Sequence, residues 1–102
     1  DVCAAPGGKS THLRSLMPSN GLLVCNEVIA ARRTILQDNM EKWGHPGYAI
    51  TQIDPSLFQK KKNAFFFAWV DAPCSGEGMF RKDPDALQHW SIDHVLHCAA
   101  RQ

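Results

Sequence analysis

The sequence predicts an α/β fold built on a parallel sheet of the doubly wound kind. Three observations predict it. Short apolar runs alternate with stretches of helical periodicity. A glycine bend, Pro6-Gly7-Gly8, opens the first helical stretch. Asp1, Glu27, Asp54 and Asp71 each stand at or just past the end of an apolar run. In open parallel sheets ligands bind in the crevice outside the carboxyl ends of the strands, so acids gathered on that rim favour a cationic, donor-rich ligand. Each acid taken alone is equally well read as a cap of the element that follows it.

Asp1-Val2 reads as the end of a strand, and residues 9–17 as a helix stopped by the turn cluster Pro18-Ser19-Asn20-Gly21. The run 22–25 suits a buried parallel strand, with Glu27 just beyond it. Over residues 29–43, Ile35, Leu36, Met40 and Trp43 form an apolar stripe, and Gly44 ends the helix before His45-Pro46-Gly47. Residues 48–53 read as a third strand ending at Asp54-Pro55. After the polar stretch 56–63, residues 65–70 read as a fourth, buried strand leading into Asp71. Trp43, Trp69 and the run Phe65-Phe66-Phe67 are expected in the core, whereas Trp90 is unassigned. Residues 92–101 read as a helix without an end signal; with the clipped opening strand, this leads us to expect a piece of a larger protein.

A chain of 102 residues supports one modest core, and 44% hydrophobic with 21% charged residues argues against disorder. A net charge of +1 gives no general electrostatic case for nucleic acid, so any RNA contact must be local. Cys3, Cys25, Cys74 and Cys98 contain no C-x-x-C pair, which excludes zinc-ribbon and thioredoxin-type readings. His94, His97 and Cys98 share one helical stretch and are too few and too close for a metal site, so no metal is expected. No apolar run approaches the ~20 residues of a membrane helix. A reducing cytoplasm is the expected setting.

The segment Pro6-Gly7-Gly8-Lys9-Ser10-Thr11 carries the second half of a phosphate-binding P-loop, but Cys3 occupies the place of its first glycine. A dinucleotide fingerprint would need G-x-G-x-x-G, which is also missing. What remains is a glycine turn that lets a ligand approach the backbone, with Glu27 about 20 residues on to hold a ribose. An adenosine without phosphates fits, and S-adenosylmethionine adds a sulfonium and an ammonium for the acids. The loop Asp71-Ala72-Pro73-Cys74-Ser75-Gly76 joins a thiol and an acid to glycines, with Arg81 and Lys82 beyond. Reactive cysteines sit in such polar, cation-flanked settings, whereas structural ones more often lie inside strands, as Cys25 does.

The segments DVCAAPGGKSTHL (1–13), CNEV (25–28) and DAPCSGEGMFRKDPDALQHW (71–90) resemble the signatures of the NOL1/NOP2/Sun family of RNA cytosine-C5 methyltransferases, in particular the bacterial branch acting on 16S ribosomal RNA. The resemblance implies a Rossmann-like methyltransferase fold, here partial with about four parallel strands, and S-adenosylmethionine as cofactor. The turn Cys3-Ala4-Ala5-Pro6-Gly7-Gly8-Lys9 would wrap the cofactor, although Cys3 read by itself is a packing residue. Glu27 would hold the ribose and Asp54 would face the adenine, with Pro55 departing from the family's usual small residue. Asp71 would lie near the methionine end and the target base. In this family the attacking thiol belongs to a Thr-Cys motif, and Cys74 assists product release instead. No Thr-Cys pair occurs in these residues, so the chain alone is expected to be inactive. Arg81 and Lys82 would meet RNA phosphates, whereas Lys60–Lys62 reads as a solvated loop. The competing expectations are a non-catalytic cofactor- or RNA-binding module of the same fold, and a nucleotide hydrolase. Open sheet edges make self-association a further expectation.

Overall fold

The computed structural model describes every residue except Pro84. The chain forms two compact units, Asp1–Asp71 and Ala72–Gln102.

The first unit is a β–α–β arrangement preceded by an extended segment and a helix. Helix α1 (Gly8–Leu16) follows Gly7, whose φ of 113° lies in the left-handed region that glycine tolerates. Strand β1 (Leu23–Asn26) leads to α2 (Ala30–Trp43), which ends at Gly44 with φ 75°. Strand β2 (Tyr48–Thr51) pairs parallel to β1, with Leu23 opposite Tyr48 and Asn26 opposite Thr51. A 3₁₀ turn, Pro55–Lys60, forms over the first part of the polar stretch 56–63.

The core gathers Ala4, Ala5, Leu23, Cys25, Leu36 and Met40, with Leu13, Met17, Trp43, Tyr48 and Ile50 packed against it. Of the expected stripe on α2, Leu36 and Met40 are fully buried, but Ile35 is exposed. Ile35 and Leu36 are consecutive, about 100° apart around a helix, so facing one toward the core turns the other aside.

Among the described residues the sheet has two strands, not the four or so expected. The opening segment does lie along β1: Asp1 N donates to Val24 O, Asn26 N to Asp1 O and Ala4 N to Asn26 O, each at 2.8 Å. It turns into the glycine bend before a longer ladder can form. The run 65–70 makes a single backbone bond to that segment, Val2 N to Trp69 O at 2.9 Å. Its burial also fails: Phe65, Phe66, Phe67, Trp69 and Val70 are all exposed. Hydrophobicity marked the run as a strand, but a strand also needs paired edges and a covered face.

Arg14 is 1% exposed; its guanidinium donates to Pro46 O at 3.0 Å, Pro18 O at 3.1 Å, Ser19 O at 3.2 Å and, more weakly, Met17 O at 3.4 Å. One side chain thus ties the end of α1 to the turn before β2. Gly47, at φ 85°, gives it room, because a Cβ there would come within 2.6 Å of Arg14 Nη2.

The second unit holds a 3₁₀ turn (Glu77–Met79), the short α3 (Ala86–His89) and α4 (Ile92–Arg101). Ser91 caps α4, its hydroxyl accepting from His94 N at 3.1 Å. No helix among the described residues is long and apolar enough to cross a membrane.

Candidate functional site

The glycine turn is pinned from α2. Arg32 Nη2 donates to Ala5 O at 3.0 Å and Asn39 Nδ2 to Pro6 O at 2.8 Å. Between them on the same helix face stands Leu36, whose Cδ1 lies 3.2 Å from where a Gly7 Cβ would be. Residues 32, 36 and 39 have the four-then-three spacing that aligns side chains along one face. Ala4, Ala5 and Gly7 are buried and Cys3 is half-buried, whereas Pro6, Gly8 and Lys9 are exposed. The two glycines therefore divide the work. Gly7 allows the turn to close on α2, and Gly8 faces open space, with nothing within 4 Å of its would-be Cβ.

Both acids assigned to the cofactor's polar ends attach to this turn. Glu27 is 3% exposed; its Oε1 accepts from Ile29 N at 3.0 Å, and its Oε2 lies 3.6 Å from Arg32 Nη1. Arg32 thus joins the carboxylate to the turn carbonyl. Asp71 pairs with Lys9, the last residue of the turn, in a solvent-exposed ion pair. The structure brings together residues 3–9, Glu27 and Asp71. Asp54 stands differently: it is exposed and accepts from Ser56 N at 2.9 Å, and the bonds from Ser56 hold its carboxyl below the ordinary aspartate range. The capping alternative describes its contacts. Asp1 accepts from buried Ser10 through Oδ2 at 2.8 Å, while its buried Oδ1 has no hydrogen-bond partner.

Sequence reasoning missed Arg32 and Asn39. Their shared face with Leu36 was visible in the spacing, but nothing marked polar residues as reaching for a backbone turn. Ser10 was missed as well; it is fully buried beside Cys25, whose thiol burial pushes up while the Ser10 hydroxyl opposes the shift.

In the second unit Cys74 is exposed. Beside it, Ser75 Oγ lies 2.6 and 2.7 Å from the two oxygens of Glu77, and Trp90 Nε1 donates to Glu77 Oε1 at 2.8 Å. These contacts hold Glu77 below the ordinary glutamate range, the Ser75 hydroxyl contributing most and the Trp90 indole next. Trp90, unassigned from sequence, is therefore part of the loop's support. Arg81 and Lys82 are exposed beyond it. Among the described residues no group of three His, Cys, Asp or Glu side chains could hold a metal. An apolar cleft of about 560 Å³ lies elsewhere in the first unit, lined by residues such as Leu13, Met17, Phe58, Phe65 and Trp69; its one acid is Asp1.

A glycine turn that opens a helix, followed by a parallel β–α–β arrangement with a buried acid just past its first strand, is the local pattern of a Rossmann-like fold. The family model for 16S rRNA methyltransferase RsmB/F matches residues 1–102, and the chain belongs to that family. It is 43% identical over 103 residues to a ribosomal RNA small subunit methyltransferase F of Shewanella baltica, covering all of this chain and 21% of the relative. The corresponding protein of Citrobacter koseri is also 43% identical, with 22% of its length covered. Among solved structures, the crystal structure of PH0851 superposes with a TM-score of 0.76 at 27% identity, covering 96% of this chain and 23% of that one. The chain spans about a fifth of the length of the curated relatives it matches.

Proposed function

We propose that these residues are the cofactor-binding part of an S-adenosylmethionine-dependent methyltransferase of the cytoplasm that forms 5-methylcytosine in RNA, with 16S rRNA as its substrate. The observation that carries the reading is the convergence of Glu27 and the Lys9–Asp71 pair on one glycine turn. The residues fit the cofactor. Gly8 leaves open space at the turn, Glu27 keeps an oxygen without a short hydrogen bond, and Asp71 offers a carboxylate beside it. Bound there, S-adenosylmethionine supplies an electrophilic methyl group.

In this reading residues 3–9 wrap the cofactor, Glu27 accepts from its ribose, Asp54 borders its adenine, and Asp71 orients the methionine end and the target base. Arg81 and Lys82 meet RNA phosphates. Cytosine C5 is a weak nucleophile. A thiolate added at C6 makes C5 enamine-like; after methylation a base removes the C5 proton and the thiol departs. The attacking thiol belongs to a Thr-Cys motif outside these residues, and Cys74 serves the departure step. The chain alone then transfers no methyl group to RNA.

Titration calorimetry of the full-length protein with S-adenosylhomocysteine tests the site. Binding that weakens about 10-fold or more in Glu27→Ala is expected, in line with loss of a charge-assisted hydrogen bond. Unchanged affinity in that variant would remove the ribose assignment.

A further inference from the structure

Cys74 lies between two anchored neighbours. On one side, Pro73 O accepts from Gln102 Nε2 at 3.1 Å. On the other, Ser75 is held by both oxygens of Glu77. Packing does not fix this stretch: Gly76 has φ 85°, and a Cβ at Gly76 or Gly78 would meet nothing within 4 Å. A serine bonded to a glutamate two residues on could be a local turn and no more. Trp90 argues otherwise, because it reaches the same carboxylate from 13 residues away. Its ring also meets Phe80 edge-on, with centroids 6.4 Å apart, and it immediately precedes the Ser91 cap of α4. One carboxylate therefore couples the thiol's neighbour to the start of the unit's longest helix.

We propose that Glu77 is a positioning residue that, with Ser75 and Trp90, sets the place of the Cys74 thiol. The inference rests on the release role given to Cys74 above. In this role Glu77 acts by fixing the loop, and a displacement of the thiol by about 1 Å is enough to cost a large factor in rate.

The test compares Cys74→Ala, Glu77→Ala, Glu77→Gln and Trp90→Phe in the full-length protein. The readouts are steady-state methylation of 16S rRNA, denaturing gels for trapped enzyme–RNA adduct, and S-adenosylhomocysteine affinity. Glu77→Ala is expected to lower kcat about 10-fold or more and to trap adduct as Cys74→Ala does, with RNA KM and cofactor-analogue affinity unchanged. Glu77→Gln and Trp90→Phe, which keep the shape of the cluster, are expected to move the same way by less. Should Glu77→Ala fail to fold, these two decide. If Cys74→Ala traps adduct while the Glu77 and Trp90 variants turn over within twofold of the parent, positioning by Glu77 is overturned. If Cys74→Ala itself traps no adduct, the release role falls and takes this inference with it, and that gel distinguishes the two failures.

Discussion

The two loops assigned to chemistry are held by opposite means. The glycine turn is fixed from outside: Arg32 and Asn39 of α2 donate to its carbonyls, and Leu36 fills the space beneath Gly7. The thiol-bearing loop is fixed by exposed side chains bonding to one another, Ser75 and Trp90 to Glu77. In the first region Leu36 is fully buried and the Arg32 bond is partly so, although the Asn39 bond is exposed, and breaking contacts taken out of water costs their desolvation. Exposed contacts exchange with water and contribute little to stability, yet they still set geometry. Substitutions in the first region should therefore act on folding, and those in the second on turnover.

The largest effect is expected where the first unit depends on a single side chain. Arg14→Met would remove a buried donor from the carbonyls of Pro46, Pro18 and Ser19, of which Pro18 keeps the bond from Gly21 N. A loss of about 3 kcal/mol or more is expected, measured by urea unfolding. Gly47→Ala should act through the same contact, because its Cβ would sit within 2.9 Å of Arg14 Nε and of Gly21 O. Midpoints unchanged in both variants would break the view that buried bonds hold this unit.

A matched pair of carboxylates sharpens the contrast. Glu27→Ala removes the partner of Ile29 N and Arg32 inside the protein and is expected to cost about 1–3 kcal/mol. Glu77→Ala, in solvent, should leave the unfolding midpoint where it was. Calorimetric scans of both variants check the pair, and equal shifts would erase the distinction.

Thiol reactivity gives a third, smaller contrast. Cys25 is fully buried, with its thiol pushed up by burial, whereas Cys74 is exposed. Iodoacetamide under native conditions should label Cys74 first and Cys25 only on unfolding, as read by peptide mass spectrometry. Early labelling of Cys25 would place the core of β1 in solvent.

What the sequence made legible follows the same division. The elements whose signals are local were readable: α2 with its glycine stop at Gly44, the strand at 48–51, and the glycine turn itself. The family was readable as well, because its motifs are runs of adjacent residues. The fourth strand was not, since the hydrophobicity of Phe65–Phe67 says that a face wants covering but not what covers it. Asp54 was assigned to a ligand by its position after a strand, the same position that suits a cap for the 3₁₀ turn. Arg14, Arg32 and Asn39 escaped notice because a side chain donating to a distant carbonyl leaves no pattern in sequence. Glu77 and Trp90 escaped as well, because an indole donating to a carboxylate 13 residues away leaves no pattern either.

The smallest effect tests the exposed cluster directly. Glu77 and Asp54 both titrate below the ordinary carboxylate range, held there by hydrogen bonds to the ionised form. A carboxyl whose folded value is lowered contributes stability that is fully present above its unfolded value and is lost as pH falls through the folded one. Both groups are exposed, so the change in global stability should be slight. The Trp90 indole reports it more sharply, because Glu77 loses its charge while the indole N–H still points at it. Trp90 fluorescence, isolated as the difference between the parent and Trp90→Phe, is expected to stay flat down to the ordinary glutamate range and to change only below it. A transition within or above that range would mean that the Ser75 and Trp90 bonds do not persist in solution. The thiol loop would then lose its anchor on the Ser75 side and keep the Gln102 bond to Pro73.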